Sequence, residues 1–469
     1  MDGEGRTEGV ETLLGNPKKA VLAMAIPMAI ATTAQMSNNL IDAMWVAGLG
    51  EAALAAVGFT FPLFFIMVGI GNGIGVGAAS FVSRRIGAGD KEAAEETATQ
   101  AVFLTLIFSS AFTVLMLLVQ KPMLILIGVG DSLDLCLEYT TPMFLFSAPI
   151  MTSVVYSQIL RAEGAAKLSM KTQILSAVIH IILDPFFIYD FNGFGLGLGV
   201  LGASLAMVIS MLASFAVLLY FYYSRNRVTY LAVRLRGRRL NLSVAKDILS
   251  VGIPASASYM VISLASVIMN LILVDAGGLE GVAVFSTTWR VINMFMVPLF
   301  AFSGGMVPVC AAAYGARDRD KLTAAYWYAV KSCAVLMSII TVASLVFAEQ
   351  IVTIFTYSDT SSHLRPEMAS ALRWFSVFLP FAAWGFMAEG LFMSLGMGVK
   401  SMVTTAVRNV LQIPVSYVMV QHFHTLESIW IGVTASEIVG AVFPGLWSVF
   451  VLATVVKGLV PLRRGGAAE

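Results

Sequence analysis

Apolar residues in this chain run in blocks far longer than a soluble core element needs, separated by short polar breaks. Twelve blocks can be marked, at about 18–47, 52–82, 94–120, 133–162, 166–189, 199–223, 244–275, 281–311, 322–347, 367–396, 400–421 and 428–457. Each holds the roughly 20 residues that cross about 30 Å of hydrocarbon at about 1.5 Å per residue. In hydrocarbon every backbone N–H and C=O must be satisfied inside the segment, so the blocks predict twelve transmembrane helices. The first sixteen residues are polar and mildly acidic, and the block after them is too long for a signal-peptide core. It is expected to stay as the first span.

The chain also repeats itself. Ala25-Ile26-Pro27 is echoed by Gly252-Ile253-Pro254, and Ile86-Gly87-Ala88-Gly89-Asp90 by Tyr314-Gly315-Ala316-Arg317-Asp318. Gly164 with Ser169-Met170 returns as Gly396 with Ser401-Met402, and Gly202-Ala203 as Gly432-Val433. The offset stays near 227–232 residues. The expected fold is therefore an all-α integral membrane protein of two six-helix bundles in the same orientation. Residues 1–228 form the first lobe and 229–469 the second, with 224–243 a basic linker. Parallel repeats of this kind build transporters that rock around a central site.

Charge sets the orientation. Lys18, Lys19, Arg84, Arg85, Lys91, Arg161, Lys167, Lys171, the arginines of the linker, Arg317, Arg319, Lys321, Lys400, Lys457, Arg463 and Arg464 occupy alternate loops. The opposite loops hold little beyond Lys121 and Arg365. By the positive-inside rule both termini are cytoplasmic, and the linker arginines face anionic lipid head groups. The net charge of +1 gives no reason to expect a nucleic-acid partner. Cys136, Cys310 and Cys333 lack the spacing of a disulfide framework or a zinc site.

Against this apolar background, buried charges stand out. Carboxylates within spans usually line a cavity, meet a partner, or exchange a proton or ion. Asp184 lies 18 residues past Ala166, about 27 Å along its helix. Asp42 reaches a similar depth on the first helix, on a stripe with Gln35, Ser37, Asn38 and Asn39. A helix-end acid facing external water is the plainer reading of Asp42. His180 sits one turn before Asp184 and shares its face. It either fixes the carboxylate by a hydrogen bond or relays a proton with it. Pro185 frees the carbonyl of Ile181, for a kink or for a cation or water; Pro27 reads as a packing kink. In the second half Asp275, Arg290, Glu389, Arg408 and Glu437 lie in or near spans. Arg290 and Glu437 share one depth and could pair, as could Glu389 and Arg408; such pairs read first as structural anchors or gates, with Glu437 the best candidate for substrate contact.

No phosphate-binding, zinc-protease or dinucleotide motif survives its context, and Gly71-Asn72-Gly73-Ile74-Gly75 fits close helix packing. An integral membrane enzyme would need a ligand cluster near one interface. His363, His422 and His424 have no acids at ligand spacing on a span, so no enzyme activity, cofactor or resident metal is expected.

With these residues in place, the chain resembles the multidrug and toxic compound extrusion (MATE) family, particularly its DinF-like prokaryotic branch. The features are Ile26-Pro27, Leu40-Ile41-Asp42, Arg85-Ile86-Gly87-Ala88-Gly89, Leu160-Arg161-Ala162-Glu163-Gly164, Leu183-Asp184-Pro185-Phe186-Phe187-Ile188 and Gly252-Ile253-Pro254, over about residues 15–455. The resemblance implies V-shaped lobes and antiport of organic, often cationic, compounds against protons or sodium. It places the chain in a prokaryotic cytoplasmic membrane, as a monomer. It also implies an N-lobe coupling site with Asp42 and Asp184, lined by Tyr139. Three positions depart from the family pattern. His180 stands where Asn is usual, Met207 where Thr is frequent, and Ser157 where Asn is common. Two of these remove oxygen ligands a hard cation prefers and one shortens a ligand, which favours protons over sodium. A lipid-linked precursor flippase, or an exporter of an endogenous metabolite, is the alternative from the same superfamily.

Overall fold

In the computed structural model, residues 6–190, 193–224, 228–236, 239–354, 362–423 and 425–459 are described. Arg225, Arg227, Arg238, His424, Arg463 and Arg464 lie outside them. The elements are helices throughout: α1 (Glu8–Leu14), α2 (Pro17–Ala47), α3 (Glu51–Gly87), α4 (Lys91–Ile127), α5 (Leu133–Leu145), α6 (Ser147–Ala162), α7 (Ala166–Ile188) and α8 (Gly199–Tyr223). They continue with α9 (Leu242–Phe295), α10 (Val297–Gly315), α11 (Arg319–Thr353), α12 (Arg365–Ser394), α13 (Gly398–Phe423) and α14 (Leu426–Gly458).

Among the described residues, ten helical segments are long and apolar enough to span a membrane, and the bent pair α5–α6 makes an eleventh. The remaining expected span, the eleventh in chain order, is α13, 26 residues long but carrying Lys400 and Arg408. α9 is the seventh span and the start of the eighth, joined without a loop. Its break is Gly278, whose φ of 61° suits a residue without a Cβ. The fourth span bends by 57° between α5 and α6. The bend is satisfied from α4: the Thr113 hydroxyl lies 3.1 Å from the Phe144 carbonyl and 2.5 Å from Ser147 Oγ.

The repeated motifs are helix boundaries. Asp90 and Asp318 each accept a hydrogen bond from the backbone three residues on, Ala93 N at 2.9 Å and Lys321 N at 2.9 Å. These are N-caps of α4 and α11. The residue before each cap is left-handed, Gly89 at φ 79° in one copy and Arg317 at φ 55° in the other. The second copy thus keeps the turn with a residue that prefers other conformations.

The contacts divide the chain into two compact units: residues 1–14 with 30–256, and 15–29 with 257–469. The cuts fall inside α2 after Ala29 and inside α9 after Ser256, at the repeat spacing (256 − 29 = 227) and two residues beyond Pro27 and Pro254. The described linker belongs to the first unit because polar side chains of α4 and Glu163 take up its backbone. Leu231 N donates to Glu163 Oε2 at 3.0 Å, Ala232 N to Glu95 Oε1 at 3.2 Å, and Arg234 N to Thr99 Oγ1 at 3.2 Å. Beside it α1, which the polar N-terminal sequence did not announce, buries Val10 and Leu13.

Candidate functional site

Two helices of the first unit each present a pair of polar side chains one turn apart. On α2 these are Asn38 and Asp42, and on α7 His180 and Asp184. Residues four apart share a helix face, so each pair projects as a unit, and the two pairs meet. Asn38 Nδ2 lies 2.8 Å from His180 Nδ1, and His180 Nε2 lies 3.1 Å from Asp184 Oδ1 and 3.9 Å from Asp42 Oδ1. His180 is 3% exposed and Asp184 0%. An Asn nitrogen only donates, so in this amide orientation Nδ1 is the acceptor and Nε2 faces the acids.

The cluster is under-satisfied. Asn38 Oδ1, Asp42 Oδ1, His180 Nε2 and both Asp184 carboxylate oxygens are buried without a hydrogen-bond partner among the described residues. The His180–Asp184 approach is close enough for an ion pair but poorly aligned for a hydrogen bond. Buried polar groups are ordinarily satisfied, so five orphaned atoms in one place call for an occupant. The two carboxylate oxygens and an imidazole nitrogen lie within 4.8 Å of one another.

The end of α7 holds the cluster in place. Pro185 removes the donor that would bind the Ile181 carbonyl. The chain beyond folds back to cap the helix: Leu196 N donates to Phe186 O at 2.8 Å and Leu198 N to Phe187 O at 2.9 Å. Gly202 of α8 runs so close to the Phe187 carbonyl that a Cβ would collide with it. Tyr139 of α5 is buried near enough to feel the charges of both Asp42 and Asp184. Its carbonyl accepts from Ser204 Oγ at 2.6 Å. Met207 packs in the same apolar cluster as Tyr139 and Cys136.

Two expected lining residues lie elsewhere. Asn39 is exposed, because it follows Asn38 by one residue and so points about 100° away around α2. Ser157 bonds Ser169 Oγ at 2.6 Å, eleven residues before His180 and so about 16 Å down α7. A residue not anticipated is Trp45, one turn past Asp42. Its carbonyl accepts from Tyr189 Oη at 2.5 Å, and its indole Nε1 is buried without a partner among the described residues. The i, i+3 spacing from Asp42 was the available signal.

The second unit carries a different charged cluster. Arg408 of α13 reaches Glu437 of α14, Nε to Oε2 at 3.8 Å, and lies over the Phe386 ring at 4.2 Å. The same guanidinium acts on Glu389 of α12, which accepts from Thr405 Oγ1 at 2.9 Å. The expected pairing of Glu437 with Arg290 does not form. Arg290 and Asp275 are both exposed, and Arg408, facing Gly440 across the α13–α14 contact, supplies the cation.

Residues 27–186 and 254–418 match the MatE family model, one match in each half of the repeat. The chain belongs to the MatE family. It is 24% identical to the multidrug export protein MepA of Staphylococcus aureus strain N315 over 422 residues, 88% of this chain and 89% of that one. Among solved structures, MATE in complex with MaL6 superposes with a TM-score of 0.93 at 35% identity, covering 96% of this chain and 100% of that one. A multidrug resistance MATE transporter of the MOP superfamily in an outward-facing conformation gives 0.91 at 35% identity, over 96% and 99%. A MOP-superfamily transporter of Pyrococcus furiosus, described as having a binding pocket of reverse polarity that suggests a different function, gives 0.91 at 35% identity with the same coverage. The twelve-helix, two-lobe reading of the sequence agrees with these relatives.

Proposed function

We propose that this MatE protein is a secondary efflux antiporter that exports amphipathic organic compounds, many of them cationic, in exchange for protons. The convergence of Asp42, His180 and Asp184 with unsatisfied atoms carries the reading. Five shielded polar atoms without partners in one cluster suit an occupant that enters and leaves, a proton or a cation. Its position on the outer part of two spans suits loading from the external side.

In this account a proton entering from outside is shared among Asp184, Asp42 and His180 Nε2. Asn38 holds the ring from Nδ1, and Tyr139 closes the side toward α5. Loading changes the cluster's charge and hence its contacts, which shifts the balance between outward-open and inward-open states. Rocking about the repeat prolines Pro27 and Pro254, with Pro185 at the site, is the motion that two parallel six-helix bundles support. Substrate selectivity by soft, adaptable side chains agrees with 25 Met and 30 Phe in the chain.

His180 and Met207 reduce the number of hard oxygen ligands, which favours protons over sodium. The sodium reading retains one supporting observation, the gathering of ligand atoms within 4.8 Å. Neither ion is a fixed cofactor in this account. A proton gradient imposed on liposomes containing the purified protein should drive efflux of a fluorescent organic cation at zero sodium. Efflux that responds to sodium alone would overturn the proton assignment.

A further inference from the structure

We propose that Asp42, His180 and Asp184 form a high-affinity inhibitory site for a late first-row divalent metal ion, Zn²⁺ being the best fit. Three observations carry it. The first is the donor set: one imidazole nitrogen and two carboxylate oxygens, from buried His180 and Asp184 and from half-buried Asp42, whose Oδ1 is shielded, with ligand atoms within 4.8 Å of one another. Imidazole selects zinc and its neighbours over magnesium and calcium, which take oxygen ligands. The His180 Nε2–Asp184 Oδ1 and His180 Nε2–Asp42 Oδ1 distances are 3.1 and 3.9 Å. Ligands about 2.0–2.1 Å from a tetrahedral ion sit about 3.3 Å apart, so the His180–Asp184 edge already fits, the His180–Asp42 edge closes by about half an ångström, and the edge between the carboxylates starts within 4.8 Å. The fourth position is left for water.

The second observation is charge. In the deprotonated form that metal binding requires, two carboxylates and one imidazole carry −2, which a divalent ion cancels and sodium halves. In a site this deeply buried, full neutralisation is strongly preferred.

The third is the partner on the far side of the ring. A metal-bound histidine usually donates its other N–H to an oxygen, which fixes ring and tautomer. Here that partner is Asn38, whose Nδ2 meets His180 Nδ1 while its Oδ1 has no hydrogen-bond partner among the described residues. When the ion takes the Nε2 lone pair, the imidazole proton moves from Nε2 to Nδ1. The Asn38 amide turns over so that Oδ1 accepts it, breaking no other bond. Any proton held by the carboxylates leaves to solvent, so binding weakens as the medium is acidified. Binding rests on the donor set, charge and geometry of these residues; its inhibitory consequence rests on their proposed coupling role.

The test is calorimetric titration of ZnCl₂ into the tag-free, detergent-solubilised full chain, with His363, His422 and His424 changed to Gln to remove surface background. One ion should bind per chain at micromolar concentration, unaffected by millimolar Mg²⁺ or Ca²⁺. His180→Asn should weaken it by on the order of 100-fold or more, and Asn38→Ala by about 10–100-fold. Co²⁺ should give visible absorption bands that vanish in His180→Asn. Asp42→Asn provides a second ligand variant should His180→Asn prove unstable. Zn²⁺ binding weaker than millimolar, or unchanged by these variants, would overturn the proposal. In liposomes micromolar Zn²⁺ should block efflux and a chelator restore it. Binding without inhibition would refute the inhibitory role while leaving the metal site. Inhibition of a transporter found to run on sodium would correct the proton reading alone.

Discussion

Arg408→Met is the perturbation whose cost the structure defines best. Arg408 and Glu437 are 13% and 5% exposed, with Nε and Oε2 3.8 Å apart. At an effective dielectric constant near 20 that separation corresponds to about 4 kcal/mol of attraction. Removing one partner of a buried pair costs about 3–5 kcal/mol, because the other charge is left uncompensated. Methionine keeps the contact with the Phe386 ring and adds nothing against Gly440, so lost packing contributes little. The loss should be measured by thermal unfolding with a thiol-reactive fluorophore. Cys136, Cys310 and Cys333 are all buried and free, so the dye reports exposure of the interior. Arg408→Met should lower Tm by several degrees, and adding Glu437→Gln should restore more than half of the loss. Adding Glu389→Gln should restore more. If Arg408→Met costs under about 1 kcal/mol, or Glu437→Gln gives no recovery, the electrostatic account of this cluster fails.

Other outcomes follow from the first unit. Asp184→Asn should abolish coupled transport while leaving Tm within a degree or two; normal counterflow with an ordinary pH dependence would remove it from the coupling role. Gly202→Val should destabilise by about 1–3 kcal/mol through collision with the Phe187 carbonyl, read in the same dye assay. Glu163, at the C-terminal end of α6, is pushed by burial up to about 8, opposed by backbone N–H groups of Leu231 and Tyr230 and by Lys91. Its ordinary value is 4.5, so between 4.5 and about 8 the folded protein holds a proton that the unfolded chain has released. Stability should therefore fall as pH rises through that window, by up to several kcal/mol. Glu163→Gln should flatten this part of the Tm–pH profile, and an unchanged profile would contradict the assignment.

The fold was legible because bilayer-length apolar blocks admit few structures; the expected division at 228/229 differs from the compact units, which part after Ala29 and Ser256. The acids and His180 were legible as well, since charge at that depth is rare and i, i+4 spacing aligns each pair. Contacts between helices were less so. Ser157 was placed near the acids by resemblance alone, and depth counting along α6 and α7 does not reveal that its partner is Ser169. Glu437 was matched to Arg290 because their depths agree, yet depth says nothing of azimuth; Gly440 lets α13 approach and turns Arg408 inward. The docking of the linker on Glu95, Thr99 and Glu163 left no periodic trace, because its bonds run from backbone to side chain. The short α1 was hidden by its polar composition.

The central claim is that protons move through Asp42, His180 and Asp184. Its most direct test is efflux of a fluorescent organic cation from liposomes with proton and sodium gradients imposed separately, for the natural protein and for His180→Asn. The account predicts efflux driven by the proton gradient alone in the natural protein, with an altered pH dependence in the variant. Efflux driven by sodium alone, and unchanged by His180→Asn, would contradict it and leave His180 a structural residue.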